Sequence, residues 1–562
     1  MFPWVDAIAT RGRRPTLIAL AVALAAGALW VLAAPPLDLW PLAWLAPAPL
    51  LWLIDRAPSN KRARRYAWLA GTAITAGGFH WITELLARYS SFPGVLSWLV
   101  LLAFAAFQGL QFWAFGWAVR RLRQISRERL GAPLPMALVA PVTMVCFETV
   151  WPLIFPFNLA ITQAWVTPVI QIAELVGPVG VTALLFTAGG ALYDLLTEVE
   201  PRRRLIPVGA SALVIAASLV YGFVRIHQLD NARAQAPTLE VGLVQTNVPF
   251  DGEAAHDDAA EVARLRATQD VTARLQADGA KLVVWPESGF PFLMERGMVP
   301  GPADRIVRHH PWAGTGLEAE PAFSVPLIFS ALTGDPRERD RPPYNSALLE
   351  VGHDYLGRYD KNYLVMFSEH IPGADTFTWL AHALPRGSGN LSAGHEVVAF
   401  PFDADGATWN LVPLICFEDT LPAFTRRAAG LHPNLLVNVT NDTWFGASEP
   451  WQHLALAVFR SVELRTDMVR AVNTGVTSHI DAAGRVLSTS HVIDPAHDPH
   501  PPEGHLVTVA LLDGGHGLFA CTGNVFGFLC VIAIGLGWLA WPRVRRGRRK
   551  KAAPGTKPGA DS

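Results

Sequence analysis

The chain has 562 residues, a hydrophobic fraction of 51%, 20 Trp, only 17% charged residues and a net charge of -1. Its length exceeds what one hydrophobic core usually serves, and so apolar a composition speaks against an ordinary soluble protein, so membrane spans are expected beside at least one further folding unit. The near-neutral balance excludes a global basic field for nucleic acid, and four cysteines at 146, 416, 521 and 530 suit neither a zinc site nor a dense disulfide framework.

A hydrocarbon core roughly 30 Å thick takes about 20 apolar helical residues to cross. Seven apolar runs precede the middle of the chain, at 16–34, 40–54, 66–86, 95–119, 134–154, 166–196 and 205–224, and an eighth lies at 525–541. The second is short and flanked by proline, which fits a tilted or half-buried helix. The first follows arginines and ends in Ala33 and Ala34, as a cleaved signal peptide would, but the spans that follow favour a retained anchor. Basic residues cluster in alternate connections: Arg11, Arg13 and Arg14; Arg56 and Lys61 to Arg65; Arg120 to Arg129; Arg202 to Arg204; Arg543 to Lys551. Lys and Arg in short loops stay on the cytoplasmic side, so eight spans put both ends there and the 225–520 block outside. The expected division is a transmembrane helical bundle of seven spans over 1–224, an extracytoplasmic domain over 225–520, and a final span with a basic cytoplasmic tail over 521–562.

The 225–520 block carries short β-branched runs at 239–245, 281–285, 327–333, 345–351, 411–416, 435–439 and 468–473. Helical spacing at 258–277 and 451–466 falls between them, which predicts an α/β layered domain. The last residues, rich in Lys, Ala, Pro and Gly, read as a disordered tail.

Three polar residues stand where a strand has just ended: Glu287, Lys361 and Cys416. Strand ends in α/β domains bring side chains together from distant sequence. A thiol is weakly nucleophilic until deprotonated; a carboxylate can take its proton and a lysine can stabilise the charges that result. Such a set attacks an ester or amide carbonyl and holds the acyl group as a thioester, with the ammonium and a backbone N–H binding the oxyanion. Taken singly, each residue has a plainer reading: Cys416 as buried packing, Glu287 as a cap or surface carboxylate, Lys361 as half of a solvated pair with Asp360.

The surrounding words separate these readings. Val-Val-Trp-Pro-Glu-Ser at 283–288, Arg-Tyr-Asp-Lys-Asn-Tyr-Leu-Val at 358–365, Ile-Cys-Phe-Glu-Asp at 415–419 and Asn-Asp-Thr-Trp-Phe-Gly at 441–446 resemble the nitrilase superfamily. Glu-Pro-Trp-Gln-His-Leu at 449–454, the following Arg460, Glu463, Leu464, Arg470 and Asn473, and in the first half Phe155-Pro-Phe-Asn and Gln171-Ile-Ala-Glu-Leu-Val-Gly resemble its membrane branch, the apolipoprotein N-acyltransferases. The resemblance implies a multi-pass bundle of about eight spans carrying an αββα sandwich. It also implies a triad of Glu287 as general base, Lys361 as oxyanion stabiliser and Cys416 as nucleophile, with Glu369 and Glu418 as supporting acids that orient Lys361 and nearby amides. For Glu418, capping of the helix that follows is the plainer alternative.

By the same resemblance the enzyme sits in a bacterial inner membrane as a monomer, catalytic domain on the periplasmic side. A phospholipid is then the acyl donor, and the acceptor is the α-amine of a diacylglyceryl-modified apolipoprotein cysteine. No cofactor, metal or nucleic acid is implied, and His491, His497 and His500 read as surface residues of a Pro/Asp loop. Phe290, Phe292, Leu293, Met294, Leu364, Met366 and Phe367 are candidates for a mobile arm admitting lipid, or for ordinary core. The chain departs from the family at Met366, Ser368, His370 and Phe417, in lacking an aromatic residue near Ala254 and Ala255, and in lacking the usual Tyr and Arg within 514–524. These departures bear on substrate contacts more than on the triad. The rival functions are a membrane-tethered amidase or hydrolase with water as acceptor, and a non-catalytic lipoprotein-binding scaffold.

Overall fold

A computed structural model of the chain describes residues 13–89, 93–249, 258–296, 323–335, 341–352, 354–366, 368–370, 390–443, 445–490 and 500–539. Arg11, the Arg543 to Lys551 cluster, Ala254, Ala255, Phe367, His491, His497 and the terminal tail lie outside them. Four helical stretches among the described residues are long and apolar enough to cross a membrane: Thr16–Ala33, Gly94–Leu130, Pro178–Thr197 and Pro201–Arg233. Met136–Val150 and Val525–Trp538 are apolar but shorter. The run at 40–54 breaks at proline into Leu42–Leu45 and Pro47–Arg56, and that at 66–86 divides between Asn60–Gly78 and Ile82–Tyr89. Helix length and composition alone thus give fewer full spans than the eight apolar runs.

Between lipid-immersed helices there is little hydrophobic drive to associate, so close approach of small residues has to hold the bundle. Its core contains Ala19, Ala23, Ala26, Ala63, Ala67 and Ala70, all essentially unexposed. At Gly190 an added Cβ would lie 2.7 Å from the Ala137 backbone, so the helices Pro178–Thr197 and Met136–Val150 touch main chain to main chain. The opposite faces carry exposed Leu213, Val220, Phe223, Phe528 and Ile532, an apolar surface suited to lipid. Basic connections gather at one end. Buried Arg123 lies 3.6 Å from Asp55 and 3.7 Å from Glu198, and Arg120 donates to the Ile54 carbonyl, which gathers the connections near 56–65, 120–129 and 198–204.

The second half is two sheets packed face to face. The first contains β1 (Thr238–Gln245), β2 (Leu282–Val284), β3 (Met294–Glu295), β4 (Leu327–Gly334), β5 (Tyr344–Val351) and β6 (Asp354–Asp360). The second contains β7 (Phe400–Ala404), β8 (Ala407–Ile415), β9 (Leu435–Thr440), β10 (Asp467–Val472), β11 (Ser478–Ile480) and β12 (Val486–Thr489). The last strand, β13 (Glu503–Ala510), returns to the edge of the first sheet, giving the orders β13-β1-β2-β4-β5-β6, with β3 on β4, and β12-β11-β10-β9-β8-β7. Side chains alternate across each strand, so Leu282 and Val284 of β2 enter the core between the sheets while Val283 and Trp285 turn outward. There they meet the helix Asp258–Ala277, whose Leu275 comes close enough that a Cβ on Gly242 would sit 2.9 Å from it. The helix Glu449–Leu464 covers the other outer face and is buried along almost its whole length, because the membrane bundle lies on its far side. The architecture is an αββα sandwich seated on a helical bundle.

Polar contacts fix that seat at the end of the bundle away from Arg123. Gln452 Nε2 donates to the carbonyls of Pro35 and Gly78, and its Oε1 accepts from Trp81 Nε1. Glu174 accepts from Arg465 Nη2 at 2.5 Å, Tyr221 Oη at 2.5 Å and Arg225 at 2.8 Å, and Gln171 bonds both Arg465 and the Ala483 carbonyl. The long helix leading into β1 is tied to the second sheet by Arg233 with Asp467 and by Asp230 with Arg485.

If the bundle depends on main-chain contact at Gly190, Gly190→Leu will sharply reduce monodisperse protein recovered by detergent extraction. Gly209→Leu, at a position with open space around it, will not. Equal recovery of both variants would disprove the packing argument.

Candidate functional site

The carboxyl ends of the central strands point to one place. Glu287 stands three residues beyond β2, and the turn is completed by Ser288 in the left-handed region at φ 59°. Its Oε1 accepts from Asn345 Nδ2 at 2.7 Å and from Lys361 Nζ at 3.1 Å, and its Oε2 from the Asn441 backbone N–H at 3.0 Å. Lys361 follows β6 directly, is 1% exposed, and gives a second bond of 2.7 Å to Glu369 Oε1. Glu369 is anchored in turn by the Val365 N–H at 2.9 Å.

Cys416 ends β8 and begins a tight helical turn, with φ at 53°, a conformation a residue with a Cβ rarely holds without support. The support includes Asn438 Nδ2, which donates to the Cys416 carbonyl at 3.1 Å. Burial, reinforced by the Glu287 charge, pushes the Cys416 thiol well above its ordinary value, while the Lys361 ammonium opposes the rise. Burial likewise raises the Glu287 carboxyl against the pull of Lys361. For Lys361 burial works downward, but the Glu287 and Glu369 carboxylates outweigh it and hold the ammonium firmly protonated. At rest the Cys416 thiol is therefore neutral and lies within the field of the Glu287 carboxyl and the Lys361 ammonium.

Glu418 is fully buried and accepts from Tyr359 Oη at 2.7 Å and from the backbone N–H groups of Asn362, Tyr363 and Ile415. Burial pushes it up to about 7. It does not bond Lys361; it pins the chain on either side of it and the turn that carries Cys416. Behind it lies a second polar cluster. His453 places Nε2 2.8 Å from Asp419 and Nδ1 3.0 Å from Asp442, and Arg470 reaches Asp419 at 3.0 Å. Asp442, Glu449 and His453 are close enough to share a cation, but both ring nitrogens of His453 already face carboxylates, which argues against its serving as a ligand.

An apolar cavity opens onto Cys416. Phe417, Phe445 and Leu456 of the domain face Phe79, Trp81, Phe155 and Phe157 of the bundle across it. The rings interlock edge to face, Trp81 with Phe445 at 5.2 Å and Phe155 with Phe417 at 6.5 Å between centroids. Of the residues suggested for a mobile arm, Phe290 and Met294 are buried in the core outside the first sheet and Phe292 packs against it, whereas Leu293 and Met366 are exposed. Leu364 is half-buried and Phe367 lies outside the described residues, and the cavity wall comes largely from aromatic residues the sequence reading had not assigned to it. Asn345 was also not singled out, and Asn441 and His453 were noticed only within the motifs at 441–446 and 449–454. Asn473, noticed only as part of a motif, bonds Thr246, Val248 and Asn441 and so joins the 246–248 turn to the loop that holds Glu287.

This fold is that of the carbon-nitrogen hydrolases, whose family model matches residues 240–496, and a model for the apolipoprotein N-acyltransferase N-terminal domain matches residues 26–191. The chain is 31% identical to the apolipoprotein N-acyltransferase of Geobacter metallireducens over 91% of its own length and 92% of the relative's. It is 32% identical to that of Bradyrhizobium diazoefficiens over 83% and 86%. It belongs to the apolipoprotein N-acyltransferase family. Among solved structures, an amidase from Nesterenkonia sp. is similar at 17% identity over 49% of this chain and 90% of the amidase, with a TM-score of 0.31. A Saccharomyces cerevisiae member of branch 10 of the nitrilase superfamily is similar at 14% identity over 51% and 94%, with a TM-score of 0.33.

The His453 cluster gives the fold a pH dependence with a definite sign. Burial alone would lower the imidazole, but Asp419 and Asp442 raise it from 6.5 to about 10. The folded state thus binds this proton more tightly than the unfolded state, so the stability it brings is complete below pH 6.5 and is lost as pH rises towards about 10. Burial and the Asp442 charge likewise raise Glu449 from 4.5 to about 8, with the same sign. Thermal unfolding of the detergent-solubilised chain will therefore show a midpoint that falls from pH 7 to pH 10, with a shallower fall in His453→Gln. A midpoint that rises over this range would contradict the assignment.

Proposed function

We propose that the chain N-acylates apolipoproteins in two steps, with a phospholipid as acyl donor, Cys416 as nucleophile, Glu287 as general base and Lys361 as oxyanion stabiliser. In the first step the Cys416 S–H proton passes to Glu287 as sulfur bonds to the ester carbonyl carbon. The oxyanion meets Lys361 Nζ and the N–H beyond the nucleophile; the C–O ester bond then breaks, and Glu287 returns its proton to the departing lysophospholipid oxygen. In the second step the α-amine of a diacylglyceryl-modified cysteine attacks the thioester and the C–S bond breaks. Glu369 and Glu418 are positioning residues in this scheme: one steadies Lys361, the other the backbone around it.

The observation that carries the reading is the apolar cavity joining Cys416 to aromatic residues of the membrane bundle. A water-soluble amide needs no such chamber, whereas an acyl tail carried in from lipid does. We further propose that the sandwich, broadly 225–520, faces the periplasm from a bacterial inner membrane, that 1–224 and the final span at 521–562 form the membrane part, and that the enzyme acts as a monomer. The gathering of basic connections around Arg123, at the end of the bundle opposite the sandwich, supports this orientation through the bias of Lys and Arg towards the cytoplasm.

Incubation with phospholipid will add one long-chain acyl mass to Cys416 that a primary amine, rather than water, discharges. Cys416→Ala will carry none, and a labelled chain on that variant would refute the assignment. Lys361→Ala will form the adduct at least about 10²-fold more slowly, as expected when an oxyanion partner is removed. A near-normal rate would reduce Lys361 to an ion-pairing role.

A further inference from the structure

Five polar residues line the Cys416 cavity: Cys416 itself, Thr420, Glu449, Gln452 and His453. Three of the other four are spoken for. Thr420 Oγ1 donates to the Phe417 carbonyl at 2.8 Å, Gln452 bridges Trp81, Pro35 and Gly78, and His453 is held between Asp419 and Asp442. Glu449 differs: its Oε2 is closed off from solvent and meets no hydrogen-bond partner. It stands at the start of the helix Glu449–Leu464, with a carboxylate oxygen within 4.8 Å of donor atoms of both Asp442 and His453.

The charges around it explain what that position lacks. Asp419 and Asp442 are matched by the His453 imidazolium and the Arg470 guanidinium, so an ionised Glu449 would be the unbalanced charge of the group. An unpaired carboxylate in a low-dielectric wall is costly, and the position favours whatever brings a cation. In the proposed reaction the donor brings a neutral acyl ester to this chamber. The acceptor brings a primary amine, which in water is an ammonium.

We propose that Glu449 is the group that binds the ammonium of the acceptor, at a subsite of the Cys416 cavity distinct from the Glu287 and Lys361 pair. This deepens the reading given under the proposed function and rests on it. On binding the ammonium, Glu449 releases its own proton to solvent; the ammonium then gives one N–H proton to the Glu449 carboxylate, and the freed lone pair attacks the thioester carbonyl. As the C–S bond breaks, the second N–H proton passes to the Cys416 thiolate, leaving a neutral amide, a neutral Glu449 and a free thiol. Atoms and charge balance without a further reactant.

The two half-reactions separate the proposal from its foundation. Using the full chain in lipid, the acyl-enzyme on Cys416 is followed by intact-protein mass spectrometry, and its discharge is followed over a concentration series of a diacylglyceryl-cysteinyl peptide. In Glu449→Gln the peptide concentration for half-maximal discharge will rise about tenfold beyond any change in the acylation rate, the loss expected for one charged hydrogen bond. Glu449→Asp will recover part of it. An unchanged concentration dependence in Glu449→Gln overturns the proposal, as does a parallel fall of both half-reactions in Glu449→Gln and Glu449→Asp, which marks a loss of cavity shape. If the unaltered chain forms no acyl-enzyme, the two-step reading itself fails and this subsite with it.

Discussion

A lysine ammonium held between two carboxylates, in a place water barely reaches, is the constraint on which the site depends. Lys361 is 1% exposed and Glu287 7%, so each ion forfeits most of its hydration. What offsets that loss is geometry: Nζ lies 3.1 Å from Glu287 and 2.7 Å from Glu369, Asn345 bonds the same Glu287 oxygen, and the remaining carboxylate oxygens take bonds from the Asn441 and Val365 N–H groups. Removing one partner of such a group leaves a buried charge uncompensated, at a cost of about 3–5 kcal/mol. The loops beyond β2, β6 and β9 are thereby obliged to keep their positions. Burial and the Glu287 charge oppose ionisation of Cys416, while the Lys361 ammonium favours it.

The second constraint is mechanical. A cavity wall shared between a bundle and a sandwich serves only if the two cannot slide, and the junction is built accordingly. Arg465 sits at the end of the helix Glu449–Leu464 in the left-handed region, φ 54°, and sends its guanidinium into the bundle to Glu174 and Gln171. At the other end of the helix Gln452 closes onto Pro35, Gly78 and Trp81. One helix therefore carries the sandwich's hold on the membrane part at both ends, and its middle forms core with β9 and β10. Movement at the junction would shift Phe445 and Leu456 against Trp81 and change the shape of the chamber.

What could be read from the sequence followed from period and punctuation. All seven β-branched runs of the 225–520 block became strands, because each is buried and its alternation is uninterrupted. Among the strands that escaped notice, two lie where a sheet edge relaxes the pattern: β7 holds Pro401 and Asp403, and β13 alternates half-buried with exposed residues over Glu503 to Leu506. Glu287, Lys361 and Cys416 were legible through the motifs around them, and the geometry brings the first two into contact, with the third within their field. Asn345 was not legible, since its value lies in the pairing of β5 with β4 and β6, which no local spacing announces. Phe79 and Trp81 were hidden for a different reason: apolar residues at the end of an apolar run look like span, whatever they later face.

The Gln171 to Gly177 motif shows how a resemblance can acquire a physical content. In sequence it is a short polar interruption of an apolar run, a poor prospect for a membrane helix. In the fold it is interrupted by short helices, Thr167–Ile170 and Ala173–Val176, and the interruption presents the side chains of Gln171 and Glu174 to Arg465, a buried arginine that crosses from the sandwich. A continuous span there would have kept lipid contact and lost the anchor. With it would go the register of Cys416 against Phe155 and Phe157, since the helix that Arg465 terminates is also the one that closes the chamber beneath the thiol. The irregular stretch of the membrane half and the setting of Cys416 in the soluble half are thus held by one helix, which keeps a buried thiol beside fixed charges at an apolar wall that both halves share.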